Sequence, residues 1–213
     1  MSTNSDILFV CDVCRSQLSR LMGQLHSLKG NHEGAMKSFA EDVYFSSIEY
    51  GPSDVRTSLG YFNLAKVFQS QGAVTESTAF MRKVVSIWLT ALIDLVVEKD
   101  GATTGSSTSS LPVVMSQVYE VVDMLIDIRN TFEVGAHGSA AEVELAIALA
   151  LMHVSSGSGA EGAGGGRDEA LGYIQRAREV YAAGGGTGSE YDITRIADAA
   201  QAILVAENET ASL

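Results

Sequence analysis

Tyr50–Gly72, YGPSDVRTSLGYFNLAKVFQSQG, is the stretch that decides the fold. Gly51 and Pro52 end whatever precedes them, and Ser53 or Asp54 stands where a side-chain oxygen can cap the first free amides of a new helix. Tyr61, Leu64, Ala65 and Phe68 then recur at helical spacing. Gly72 follows that run where a C′ residue would turn left-handed and stop it. The segment reads as a capped helix closed by a tight turn.

Moving outward, the same unit occurs 42 residues earlier. Met22 maps to Leu64, Gly23 to Ala65, Leu25 to Val67, His26 to Phe68 and Gly30 to Gly72; Ala35 maps to Ser77, Phe39 to Met81, Val43 to Val85 and Phe45 to Ile87. Leu18, Leu21, Met22 and Leu25 supply the helical spacing of the first copy. Small residues at Gly23, Ala35, Ala65 and Ser77 let paired helices approach, and large apolar residues plug the gaps. This resembles the tetratricopeptide pattern, whose usual period is about 34 residues. The sequence therefore predicts an all-α chain of tetratricopeptide-like hairpins, stacked as a right-handed α-solenoid with a C-terminal capping helix.

The expected organisation is a lead-in over 1–15, two repeats over 16–99, and a Gly/Ser/Thr linker over 100–112. A degenerate helical-repeat region follows over 113–206, with a Gly-rich insertion at 155–166 and a tail at 207–213. Within it Pro112 opens a helix running to about Phe132, and Ala140–Val154 is apolar almost all round. A third repeat is expected at 139–183, its second helix resuming at Arg167, and Asp192 caps the last helix.

Charge narrows the partners. The 213 residues carry a formal net charge of −12, unevenly placed. Residues 1–100 hold 9 Lys+Arg against 11 Asp+Glu, whereas 101–213 hold 5 against 15 and contain no Lys. Such a surface repels phosphate backbones and anionic membranes, so neither nucleic acid nor a membrane is the expected partner. The opening MSTNSD lacks a basic n-region, and the longest apolar stretch, Val84–Val97, is interrupted by Ser86, Thr90 and Asp94. A reducing, cytoplasmic setting is expected.

Chemistry of its own is not expected. Cys11, Cys14, His26 and His32 approach a two-Cys, two-His spacing, yet placing all four on one ion would unwind the first repeat helix. Gly157, Gly159 and Gly162 match a dinucleotide fingerprint but follow an Ala/Leu helix where a strand belongs. Neither Cys has a nearby His as base, and Glu142 and Glu144 point to different faces of one helix. The expectation is no enzyme activity, no metal and no cofactor.

Gly23, AEDVYFSSIEYG, DVRTSLGYFNLAKVF and KVVSIW together resemble the zinc finger MYND domain-containing protein twelve family, over roughly residues 17–92. The period and the run from Tyr50 to Gly72 are also similar to the repeats of kinesin light chain. The first resemblance implies an axonemal scaffold of cilia and flagella, associated with an inner-arm dynein and with another tetratricopeptide-repeat protein (number twenty-nine), supporting ciliary motility. The family places a MYND finger and further repeats ahead of this region. Their lack here would leave Leu18, Leu21 and the face around Phe39 and Tyr44 partly uncovered. In tetratricopeptide proteins the first helix of each repeat lines a groove. The inward positions are then Arg20, Gln24 and Ser27, followed by Phe62, Asn63, Lys66 and Gln69, with Phe62 as an apolar anchor. Asn63 stands where heat-shock co-chaperones place the Asn of a carboxylate clamp, but Ala140–Val154 offers no Lys or Arg to complete one. The competing expectation is a soluble adaptor, co-chaperone-like, for assembling protein complexes.

Overall fold

The computed structural model describes residues 4–99, 115–132, 137–157, 163–189 and 191–211. It contains α1 (Asn4–Leu28), α2 (His32–Tyr50), α3 (Val55–Ser70), α4 (Val74–Lys99), α5 (Met115–Thr131), α6 (His137–Gly157), α7 (Ala163–Ala183) and α8 (Ile193–Ala211). Among the described residues there is no strand, and no helix is long and apolar enough to cross a membrane. The chain divides into two compact units, Met1–Ile87 and Trp88–Leu213, with the boundary inside α4. The expected linker at 100–112 lies outside the described residues, as do Gly159 and Gly162 of the glycine fingerprint.

Several boundaries differ from the sequence reading, α6 extending to His137–Gly157 from the expected Ala140–Val154. Helix α1 begins at Asn4, so most of the expected lead-in is helical; α8 runs on to Ala211 through the expected tail. Helix α7 begins at Ala163, taking Gly164, Gly165 and Gly166 into its first turn. Glycine is a poor helix former, but a first turn needs few residues held by intrahelical bonds, and α7 packs along α6 for support.

In the first unit two helices end in the same turn, 42 residues apart. At the end of α1 the amide of Gly30 donates to the Ser27 carbonyl (3.0 Å) and that of Asn31 to the His26 carbonyl (2.9 Å). Forty-two residues on, Gly72 donates to Gln69 (3.0 Å) and Ala73 to Phe68 (3.0 Å). Gly30 and Gly72 have φ of 70° and 75°, the left-handed residue of a Schellman motif. The flanking bonds from Lys29, His32 and Ala35 also have counterparts at Gln71, Val74 and Ser77. Helices α1 and α2 pack together, as do α2 and α3. Ala35 and Phe39 of α2 meet Leu64 and Val67 of α3 in a buried cluster, flanked by Met36, Val43 and Phe80. Burying Phe39, Leu64 and Val67 contributes about 1.5–3 kcal/mol each. Phe80 of α4 stacks on Phe68 and Tyr61 of α3, with ring centroids 5.6 and 6.1 Å apart.

The second unit is arranged around α6. Ala141 and the run from Val143 to Met152 are buried, because α5, α7 and α8 all pack against this helix. The all-round apolar character read from the sequence is thus satisfied from several sides. Helix α7 ends as α1 and α3 do: Gly185 donates to Ala182 (3.0 Å) and Gly186 to Tyr181 (2.9 Å), with Gly185 at φ 76°. Asp192 caps α8 through Oδ1, which accepts the Arg195 amide at 3.1 Å.

Candidate protein-binding site

The two faces of α1 differ in kind. Towards α2 it presents Ser16, Ser19 and Gly23, all buried. A Cβ on Gly23 would lie 2.6 Å from Cδ1 and Cε1 of Phe39, so the α1–α2 approach requires glycine here. Gly60 does the same for α3, since a Cβ there would come within 2.7 Å of Val43 and 3.2 Å of Asp42.

Asp42 is fully buried at the α1–α2 contact. Its Oδ1 accepts from Ser16 Oγ (2.6 Å) and Arg20 Nη2 (3.1 Å), and its Oδ2 from Arg20 Nε (2.8 Å). A buried pair of this kind adds little net stability over a well-packed apolar contact but is costly to break by removing one partner. Arg20, expected to face a groove, is therefore committed to Asp42. The sequence reading missed Asp42 and Ser16 because each sits singly among residues that suit an exposed helix face.

The remaining groove positions lie as follows. Gln24, Ser27 and Gln69 are exposed; Phe62, Asn63 and Lys66 are half-buried on α3. The Nδ2 of Asn63 is shielded from solvent and makes no hydrogen bond. An open groove of about 620 Å³ on the first hairpin is lined instead by Arg15, Leu18, Ser19, Lys37, Ala40, Glu41, Tyr44 and Phe45. None of the six expected partner-binding residues belongs to it. Of the residues expected at an uncovered end, Leu18, Leu21 and Tyr44 are exposed, but Phe39 is a core residue, drawn inward by the space at Gly23.

The histidines of the Cys/His spacing are used locally. His26 Nδ1 lies 3.2 Å from Asn31 Nδ2, beside the Asn31 cap of α2, and His32 Nδ1 lies 3.1 Å from Ser70 Oγ on α3. Among the described residues no group of three His, Cys, Asp or Glu could hold a metal ion. Asp54 caps α3, accepting the Arg56 amide and guanidinium at 2.8 Å, and the Arg56 hydrogen bond holds its carboxyl below the usual value. In the second unit Glu144 of α6 is buried between Arg176 of α7 (3.4 Å) and Arg129 of α5 (3.9 Å). Burial raises its carboxyl above the usual value, and the two arginines oppose that rise. Its Oε2 is the oxygen that Arg176 Nε approaches at 3.4 Å, a long ion-pair contact. The sequence offered no sign that Glu144, and not Glu142, would be enclosed.

No protein-family profile matches the chain.

Proposed function

We propose that this chain is a non-enzymatic scaffold whose work is to bind other proteins through stacked tetratricopeptide-like hairpins of a right-handed solenoid. The observation that carries the reading is the set of turn hydrogen bonds recurring 42 residues apart at Gly30 and Gly72, with glycine spacers at Gly23 and Gly60 holding successive helices close. Units of this kind bury apolar surface against neighbours in series and leave faces free for partners. The resemblance of residues 17–92 to the zinc finger MYND domain-containing protein twelve family supports an axonemal setting. There the chain would be a docking subunit associated with an inner-arm dynein and a partner tetratricopeptide-repeat protein, in support of motility. The uncovered apolar residues of α1 and α2 suit a subunit of a large complex.

The test is fractionation of ciliated cells expressing the tagged chain. An axonemal subunit stays with demembranated cilia after detergent and leaves in high salt. Release with the detergent extract would overturn the axonemal reading in favour of an assembly adaptor.

A further inference from the structure

The outward face of α1 carries leucines at a strict alternation of three and four residues: Leu18, Leu21, Leu25 and Leu28. They are 61, 63, 42 and 87% exposed, and Cys14, one step earlier in the series, is exposed as well. In the sequence the same spacing continues back through Cys11 and Ile7. A period of 3.5 is that of a coiled-coil seam, with Leu18 and Leu25 at a and Leu21 and Leu28 at d. Ser16 and Gly23, which face α2, then fall at f, directly opposite the seam.

The repeat says what kind of element covers such a face. Forty-two residues on, Leu18 and Leu25 correspond to Gly60 and Val67. Gly60 is the point where α3 touches Val43 of α2, and Val67 packs with Ala35 and Phe39 of α2. On α3, therefore, the a positions of this stripe are filled by a helix laid along it, while the counterparts of Leu21 and Leu28, Asn63 and Ser70, are half-buried and exposed. Where α3 offers glycine, α1 offers leucine, so a helix on α1 must sit farther out, with its side chains between the leucines.

Charge says which helix. From Val13 to His32 the sequence holds Arg15, Arg20 and Lys29 and no Asp or Glu, in a chain of net charge −12. Arg20 is neutralised by Asp42. Arg15 and Lys29 fall at e positions beside the seam, Arg15 also 3.7 Å from Asp12, and Lys37 and Glu41 of α2 both line the adjoining groove, leaving Lys29 as the seam's unshared cation among these. A second copy would bring the same α1 face, which repeats Arg15 and Lys29 and supplies no carboxylate between Val13 and His32, while the matching face of α4 (Met81, Val84, Val85, Trp88) and the apolar face of α8 (Ile193, Ala197, Ala200, Leu204) are already buried.

We propose that the outer face of α1 is a docking seam for one amphipathic helix of another protein, bearing a leucine-type stripe at three-four spacing flanked by acidic residues. The proposal rests on the protein-binding function above and names the surface and the chemistry of its partner.

The probe is a 28-residue synthetic peptide, a length of about four heptads, with Leu at a and d and Glu at e and g. Its control carries Lys at e and g. Binding to the full chain is measured by fluorescence anisotropy at low and high salt. The Glu peptide should bind at least about tenfold more tightly than the Lys peptide, and salt should narrow that gap. Leu21→Asp with Leu25→Asp should lower the Glu peptide's affinity at least about tenfold while lowering the melting temperature only slightly, because the two side chains are 63 and 42% exposed. Equal binding of the two peptides, or undiminished binding to the double variant, overturns the proposal. So does a dimer of the chain itself, seen by light scattering, that the double variant dissolves. Failure of the peptide test with retention on demembranated cilia would leave the scaffold function standing and remove only the seam.

Discussion

Replacing Gly23 by alanine sets two known effects against each other. Alanine is favoured over glycine by about 1 kcal/mol in a helix interior. Against this, the new methyl would stand 2.6 Å from two ring carbons of Phe39, where ordinary contact begins at 3.4 Å, so about 0.8 Å must be found. Phe39 is only 3% exposed and cannot swing away as a flexible chain end would. Overpacking of this kind destabilises by about 1–3 kcal/mol, so Gly23→Ala should lower stability by about 1 kcal/mol net, and Gly23→Leu by about 3 kcal/mol. Gly172 of α7 is the control. A Cβ there meets nothing within 4 Å, so Gly172→Ala should raise stability by about 0.5–1 kcal/mol. Urea unfolding followed by circular dichroism gives both values. Shrinking the ring with Phe39→Leu should reduce the penalty of Gly23→Ala, which a double-mutant cycle reads as coupling. A stabilising Gly23→Ala, or no coupling to Phe39, would refute the packing assigned to the first hairpin.

Further outcomes are expected elsewhere. Arg20→Met leaves the buried Asp42 carboxylate without its cation and should cost about 2–4 kcal/mol, against about 1 kcal/mol for Ser16→Ala, both by chemical denaturation. Asp54→Ala removes the α3 cap and should cost about 1 kcal/mol at neutral pH. Because the Asp54 carboxyl is held low, that contribution is full above the unfolded value and is lost as pH falls through the folded one, so the variant and parent should converge in acid. Asp54 and Arg56 are partly exposed, and salt should weaken their ion-pair share. Glu144 has the opposite sign. Its raised carboxyl makes the folded state bind the proton more readily, so its contribution rises as pH falls from the folded value towards the unfolded one. Glu144→Gln should leave the neutral-pH melting temperature unchanged or higher and flatten this acid-side rise; a large loss at pH 7 would contradict it.

The parts of the fold that were legible in sequence are those where one residue type has one physical reason to be present. Gly30 and Gly72 stop helices because the left-handed turn favours glycine, and Asp54 and Asp192 cap because their carboxylates accept free amides. The orientation of α1 was not legible in the same way. Its leucines recur at helical spacing, which locates an apolar stripe but not what covers it. The small face of Ser16, Ser19 and Gly23 turned inward because only small residues admit Phe39 and Asp42 at close range. Of the expected binding residues, Arg20 is engaged by Asp42 at the α1–α2 contact, and the open groove gathers Leu18, Lys37 and Tyr44 from two successive helices. Burial of Glu144 depends on three helices meeting, which no local pattern encodes.

The most direct test of the proposed docking through α1 is cross-linking mass spectrometry on intact cells expressing the tagged chain, using an amine-reactive reagent. The chain's five lysines are Lys29, Lys37, Lys66, Lys83 and Lys99, and the first two flank the leucine face. The predicted result is that Lys29 and Lys37 link to one other protein, within or beside an amphipathic helical segment. The links should disappear in the Leu21→Asp, Leu25→Asp double variant. Links from Lys29 and Lys37 that stay within the chain, while other lysines join partners and the double variant behaves as the parent, would contradict it.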